Sequence, residues 1–147
     1  MSPQDKPWSE RRSQTRAMIK ELLLSRQHVW SLYCTIGGLD SFSSDQPVES
    51  LIPEFCQALV DYISLGHFGI YQRITDGRER RTNIIKKAEE IYPGISDSTD
   101  AAIEFNDKYR AVSGVTLGSL ASDLSRLGEE LATRIDLEDQ LIETIGG

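Results

Sequence analysis

Residues 117–145 read "LGSLASDLSRLGEELATRIDLEDQLIETI", and this stretch decides the fold. Leu117, Leu120, Leu124, Leu127 and Leu131 alternate three- and four-residue steps without a miss, the packing seam of a helix in a bundle. Continuing the seam predicts core positions at 134, 138, 141 and 145. The chain places Arg134 and Glu138 at the first two and returns to Leu141 and Ile145. One helical turn separates the two charges, so they can pair on a face that should be buried. Burial of such a pair costs desolvation that its attraction need not recover. Two readings stay open: a polar feature inside this end of the bundle, or a slight rotation of the seam onto Ile135 and Ile142 that leaves both charges at the edge.

The rest of the chain supplies partners for this helix. Residues 1–8, with two prolines and no periodic pattern, are expected to be a mobile tail ahead of a single domain over 9–147. From Ser9, Met18, Leu22, Val29, Leu32 and Ile36 fall on one helix face, and Gly37-Gly38 is the expected stop. "LDSFSSDQPVES" reads as a loop. A second helix starts near Pro47–Pro53 and buries a wide stripe, Ile52, Phe55, Leu59, Ile63, Gly66, Ile70 and Ile74, flanked by Cys56, Val60, His67 and Tyr71. A short basic helix over 79–91 is expected to stop before Pro93. Another starts at Ser96 or Asp97 with Ala101, Ala102, Phe105 and Tyr109 inward and ends at Ser113-Gly114. Nothing alternates with period two for long. The expected fold is all-α, an antiparallel four-helix bundle with a short accessory helix.

Net charge is −7, and its placement is informative. Residues 1–30 carry six Lys/Arg against three Asp/Glu, residues 31–96 six against nine, and residues 97–147 four against eleven. The acidic excess thus sits in the last third. Such a surface repels nucleic acid and suits a basic partner, for instance a protein that itself binds DNA. No run approaches the ~20 apolar residues of a membrane span, and no signal peptide is evident, so a cytoplasmic location is expected. Cys34 and Cys56 are too far apart for a CxxC motif and read as buried, reduced thiols.

Residues 55–74, "FCQALVDYISLGHFGIYQRI", place Asp61 and His67 among hydrophobes, with Gly66 and Gly69 bracketing His67-Phe68. Each glycine costs ~1 kcal/mol of helix propensity relative to alanine. Two in one turn imply that something comes close to the backbone, either a neighbouring helix or a binding partner. His67 lies about 120° around the helix from Asp61, so the two are not a simple pair. Metal chemistry is disfavoured: the only histidines are His28 and His67, and no Glu-x-x-His occurs. No Ser/His/Asp arrangement, P-loop or glycine-rich nucleotide turn appears, so neither an enzyme nor a cofactor is expected. The runner-up is a phosphorelay or metabolite-sensing bundle acting through His67, although "HFGIY" lacks the neighbouring lysine usual in phosphotransfer bundles.

The same residues carry a resemblance. "FCQALVDYISLGHFGIYQRI" resembles the signature of the Rsd/AlgQ family, and "RIDLEDQLIETI" is similar to that family's second marked segment. "RQHVWSLYCTIGGL" is compatible with the end of its first helix. The resemblance implies an anti-sigma protein: a helical bundle holding the promoter-recognising C-terminal domain of the primary sigma factor, blocking −35 recognition and competing with core RNA polymerase. Asp61 matches the family's aspartate associated with sigma binding, His67, Phe68 and Tyr71 the rest of the helix-two motif, and Arg134, Glu138 and Asp139 the C-terminal one; with Ser64 and Leu65, which share a helical face with Asp61 and Phe68, these are the expected partner-binding residues. A phosphocarrier protein of the sugar phosphotransferase system is a further partner linked to relatives. One departure stands out. Family members usually carry a polar and aromatic cluster in the first helix, where this chain has Lys20-Glu21-Leu22-Leu23-Leu24. That departure leaves weaker sigma binding, another sigma factor, or a divergent member with another protein partner open.

Overall fold

The computed structural model describes residues 5–37, 48–74, 79–111 and 118–146, except for the side chains of 5–12, 48, 49 and 68. Among these residues there are four long helices and no strand. They are α1 (Asp5–Ile36), α2 (Val48–Ser64, continuing as a π-helical segment Leu65–Tyr71), α3 (Thr82–Tyr109) and α4 (Leu120–Gly146). Helix α1 starts four residues ahead of the expected Ser9, with Pro7 in its first turn, where a missing N–H is tolerated. Most of the expected loop after Gly38, the expected end at Ser113-Gly114, Leu117 and residues 1–4 lie outside the described residues.

Contacts between helices fix the topology. Tyr33 meets Phe55 while Arg73 reaches back to Gln14, so α1 and α2 run antiparallel. Phe55 meets Phe105 while Tyr71 meets Ala88, which opposes α2 and α3. Arg81 bonds the Ile145 carbonyl while Lys108 bonds Asp123, which opposes α3 and α4. The result is an up-down-up-down bundle, the arrangement short connections favour.

The periodic stripes are where the core forms. Leu22, Val29 and Ile36 of α1, the stripe Ile52, Phe55, Leu59, Ile63 and Ile70 of α2 with Ile74 just past it, Phe105 and Tyr109 of α3, and Leu124, Leu127, Leu131 and Leu141 of α4 are buried. Met18, Leu32 and Leu120 are half-buried against them, and Val60 is exposed. Of the cysteines, Cys56 is buried and burial pushes its thiol up to about 11, but Cys34 is only half-buried.

Pro93 does not end a helix. The short basic helix and the one after it are a single helix, α3, with Pro93 inside and exposed. An interior proline costs about 3 kcal/mol. Ile84, Ala88 and Ile91 are buried before it and Ala102, Phe105 and Tyr109 after it, and fully burying a single large apolar side chain stabilises by roughly 1.5–3 kcal/mol. Burial along both halves outweighs the break. Among the described residues there is therefore no separate accessory helix.

Candidate functional site

The seam of α4 does not rotate at its polar positions. Arg134 is 1% exposed and Glu138 6%, whereas Ile135 and Ile142 are only half-buried. The open question about this end of the bundle is thereby answered with a buried polar cluster. Arg134 Nε donates to Glu138 Oε2 at 3.0 Å, and its Nη1 donates to Ser98 Oγ at 3.0 Å, Thr99 Oγ1 at 2.9 Å and the Ile95 carbonyl at 3.4 Å. The guanidinium carbon lies 5.5 Å from the Tyr62 ring centroid, within cation–π range. Tyr62 donates its hydroxyl to Glu138 Oε1, and Arg26 Nη1 reaches the same oxygen at 3.4 Å and Asp139 Oδ1 at 2.9 Å. Each of the four helices thus contributes to one network. Desolvation, and then the Glu138 carboxylate, hold the Tyr62 hydroxyl far above its ordinary pKa. Desolvation lowers the Arg26 pKa, but the bond to Asp139 and the charges of Asp139 and Glu138 outweigh it and raise the value.

Helix α2 adapts its backbone to this cluster. A Cβ on Gly66 would lie 3.0 Å from Arg134 Nη2 and 3.7 Å from Glu138 Oε2. What comes close to the backbone here is α4, through its arginine. Among the described residues Gly69 has no such neighbour: a Cβ there would meet only Met18 Sδ, at an ordinary 3.9 Å. The turn that holds both glycines is π-helical, with the Gln72 N–H bonded to the His67 carbonyl. Wide turns of this kind are rare and recur at functional sites.

The nine residues singled out in the sequence fall into two groups. Arg134 and Glu138 lie inside the bundle, as does Tyr71, whose hydroxyl donates to the Ala88 carbonyl. Asp61 is exposed and accepts a bond from Gln57 Nε2 at 3.0 Å; it is not part of the buried cluster. Ser64 and Leu65 are half-buried, and His67 is exposed. Asp139 is exposed beside Glu138. The Phe68 side chain lies outside the described residues. His67, Tyr71, Arg134 and Glu138 line one cavity of ≈ 110 Å³ between the π-helical segment, α3 and α4. Among the described residues, no three His, Cys, Asp or Glu side chains converge as metal ligands, and no helix is long and apolar enough to cross a membrane.

Sequence reasoning missed Tyr62, Ser98, Thr99 and Arg26. Two of them left a trace. Arg26 sits in the apolar stripe of α1, four residues after Leu22 and three before Val29, and Ser98 occupies the inward register between Ile91 and Phe105. The hydroxyl is a partner that a buried arginine needs, and the second arginine is one for the carboxylate beside it.

Comparison with known proteins agrees with the residue pattern. The family described as "Regulator of RNA polymerase sigma(70) subunit, Rsd/AlgQ" matches residues 1–146. A protein named "Regulator of sigma D" from Yersinia enterocolitica is 32% identical over 131 residues, covering 86% of this chain and 78% of its own. Its namesake in Shigella dysenteriae is 30% identical over 138 residues, covering 91% and 87%. No solved structure matches the chain.

Proposed function

Because the chain belongs to the Rsd/AlgQ family, we propose that it is an anti-sigma regulator, a cytoplasmic protein without catalytic activity that binds the primary sigma factor of RNA polymerase. The family match along the whole chain carries this reading. The bound element is the C-terminal, promoter-recognising domain, and holding it masks −35 recognition and disfavours core polymerase.

Charge and shape support the reading. Asp97, Asp100, Glu104 and Asp107 on α3 and Glu129, Asp136, Asp139 and Glu143 on α4 are all exposed. An acidic bundle complements the basic surface that a DNA-binding domain turns toward phosphates, and complementarity of this kind steers association and selects partners. Asp61, Ser64, Leu65, His67 and Asp139 are the contact residues. Arg134, Glu138 and Tyr71 act beneath them by fixing α2 against α3 and α4. The leucines of the departing segment divide: Leu22 is buried, while Leu23 and Leu24 are exposed. The departing segment thus presents apolar surface on α1.

Calorimetric titration with the C-terminal domain of the primary sigma factor is the test. Asp61→Ala should weaken binding at least several-fold, because a partly desolvated charge pair loses one member. Unchanged affinity removes Asp61 from the interface, and no binding by the unmodified chain at low ionic strength removes the reading itself.

A further inference from the structure

The cavity between the π-helical segment, α3 and α4 has features that the sigma-binding reading does not use. Its ≈ 110 Å³ is of the same order as the ~150 Å³ engineered apolar cavity that takes up benzene. Leu22, Ile70, Ile91 and Leu141, all buried, give it apolar walls. Its polar groups are Arg134, Glu138, Thr99, Ser96 and Tyr71, the last with its hydroxyl already given to the Ala88 carbonyl, and exposed His67 and Tyr92 stand at the rim. The two charges cancel: Arg134 and Glu138 pair at 3.0 Å, and Ser98, Thr99, Tyr62 and Arg26 take up further positions on them. A ligand bearing net charge would leave water without gaining a counter-ion. A ligand with one uncharged polar group would have an apolar body to bury and a hydroxyl-bearing wall to meet. Pockets with apolar walls and a few convergent polar groups are the usual form of a small-molecule site.

We propose that this cavity binds a small neutral alcohol or phenol of about seven non-hydrogen atoms, its body among Ile70, Ile91 and Leu141 and its hydroxyl toward Ser96 and Arg134. Ser96 is half-buried on the α3 wall, so it can exchange bonds with a ligand without unfolding the helix. Such a ligand lies against the turn that carries Gly66 and against the network that joins all four helices, so occupancy is felt by the bundle as a whole. The site does not depend on the sigma-binding reading, and either can fail alone.

Phenol is the probe, titrated into the full chain with isoleucine and leucine methyl resonances followed by NMR. The expected result is saturable shifts at Ile91, Ile95 and Leu141 with a dissociation constant on the order of 1 mM, as befits so few atoms. Benzene, benzoate and anilinium should each bind ~3–10-fold more weakly, the first for want of a hydrogen bond and the others for their charge. Ser96→Ala should weaken phenol by ~3–10-fold and leave benzene unchanged. Ile142→Phe, at a half-buried wall position, should abolish binding of both; should that variant not fold, Ser96→Ala carries the test. Shifts that never saturate, tighter binding of benzoate than of phenol, or no response to Ser96→Ala would each overturn the proposal.

Discussion

Two layers of the same core, six residues apart along α4 and hence about 9 Å, solve the packing problem in opposite ways. Around Gly128 the layer is aromatic. Phe55 packs edge-on against Phe105 at 5.6 Å, Phe105 lies 4.5 Å from Tyr109, and Tyr33 stacks on Trp30 at 5.0 Å. Around Arg134 the layer is polar, and this arginine is buried almost as completely as Phe55 and Tyr109 of the aromatic layer. Aromatic rings gain from area alone and tolerate small displacements. A buried ion pair gains only when every donor and acceptor is met, so the polar layer fixes the relative placement of the helices more strictly than it stabilises them. Among the described residues, no buried side-chain nitrogen or oxygen lacks a hydrogen-bond partner, as that strictness requires.

The largest expected effect breaks the polar layer. Arg134→Met leaves Glu138 buried with only the Tyr62 hydroxyl and the edge of Arg26, and should cost about 3–5 kcal/mol of stability. Removing both charges in Arg134→Met/Glu138→Leu should restore most of it, because an apolar pair of similar volume has no desolvation to offset. Urea unfolding of the three proteins makes the comparison. A single variant that loses less than about 1 kcal/mol would mean that Glu138 reaches water through the cavity, and the contrast between the layers would collapse.

The aromatic layer should break more gently. A methyl on Gly128 would overlap the Tyr33 hydroxyl, which donates to the Leu124 carbonyl at 2.9 Å. Gly128→Ala forces Tyr33 to tilt, at a cost of about 1–3 kcal/mol for overpacking. Adding Tyr33→Phe removes the colliding oxygen and should recover part of the loss, which thermal unfolding of single and double variants would show. Absence of any recovery would place the strain at the ring carbon Cζ, 2.8 Å from the added methyl, or in the backbone of α4 instead of at the hydroxyl.

These two layers were unequally legible. The leucine seam and the stripes of α1 and α2 are local periodicities, and burial follows them almost residue by residue. The polar layer was visible only as an interruption at 134 and 138, since nothing in one helix says whether three others will supply Ser98, Tyr62 and Arg26. Pro93 misled for the same reason: its local cost is plain in sequence, while the contacts that α3 makes on both sides of it are tertiary. Asp61 and His67 stood out as polar residues on an apolar helix. Both are exposed, so the sequence marked a surface there and a core at Arg134, with similar signals.

The smallest effect separates the two glycines, and it sharpens the contrast because both lie in the same π-helical turn. Gly69→Ala adds a methyl whose nearest neighbour is Met18 Sδ at 3.9 Å, so it keeps the helix-propensity gain of about 0.5–1 kcal/mol. Gly66→Ala gains the same propensity but sets its methyl 3.0 Å from Arg134 Nη2, whose guanidinium is held by Glu138, Ser98 and Thr99 and has no slack to yield. Whatever penalty the wide turn places on a side chain is shared by both variants and cancels in their difference. Denaturant midpoints should therefore rise for Gly69→Ala and stay level or fall for Gly66→Ala. Equal midpoints would show that the guanidinium can shift by a few tenths of an ångström without cost, and a layer free to do that would not be fixing the helices at all.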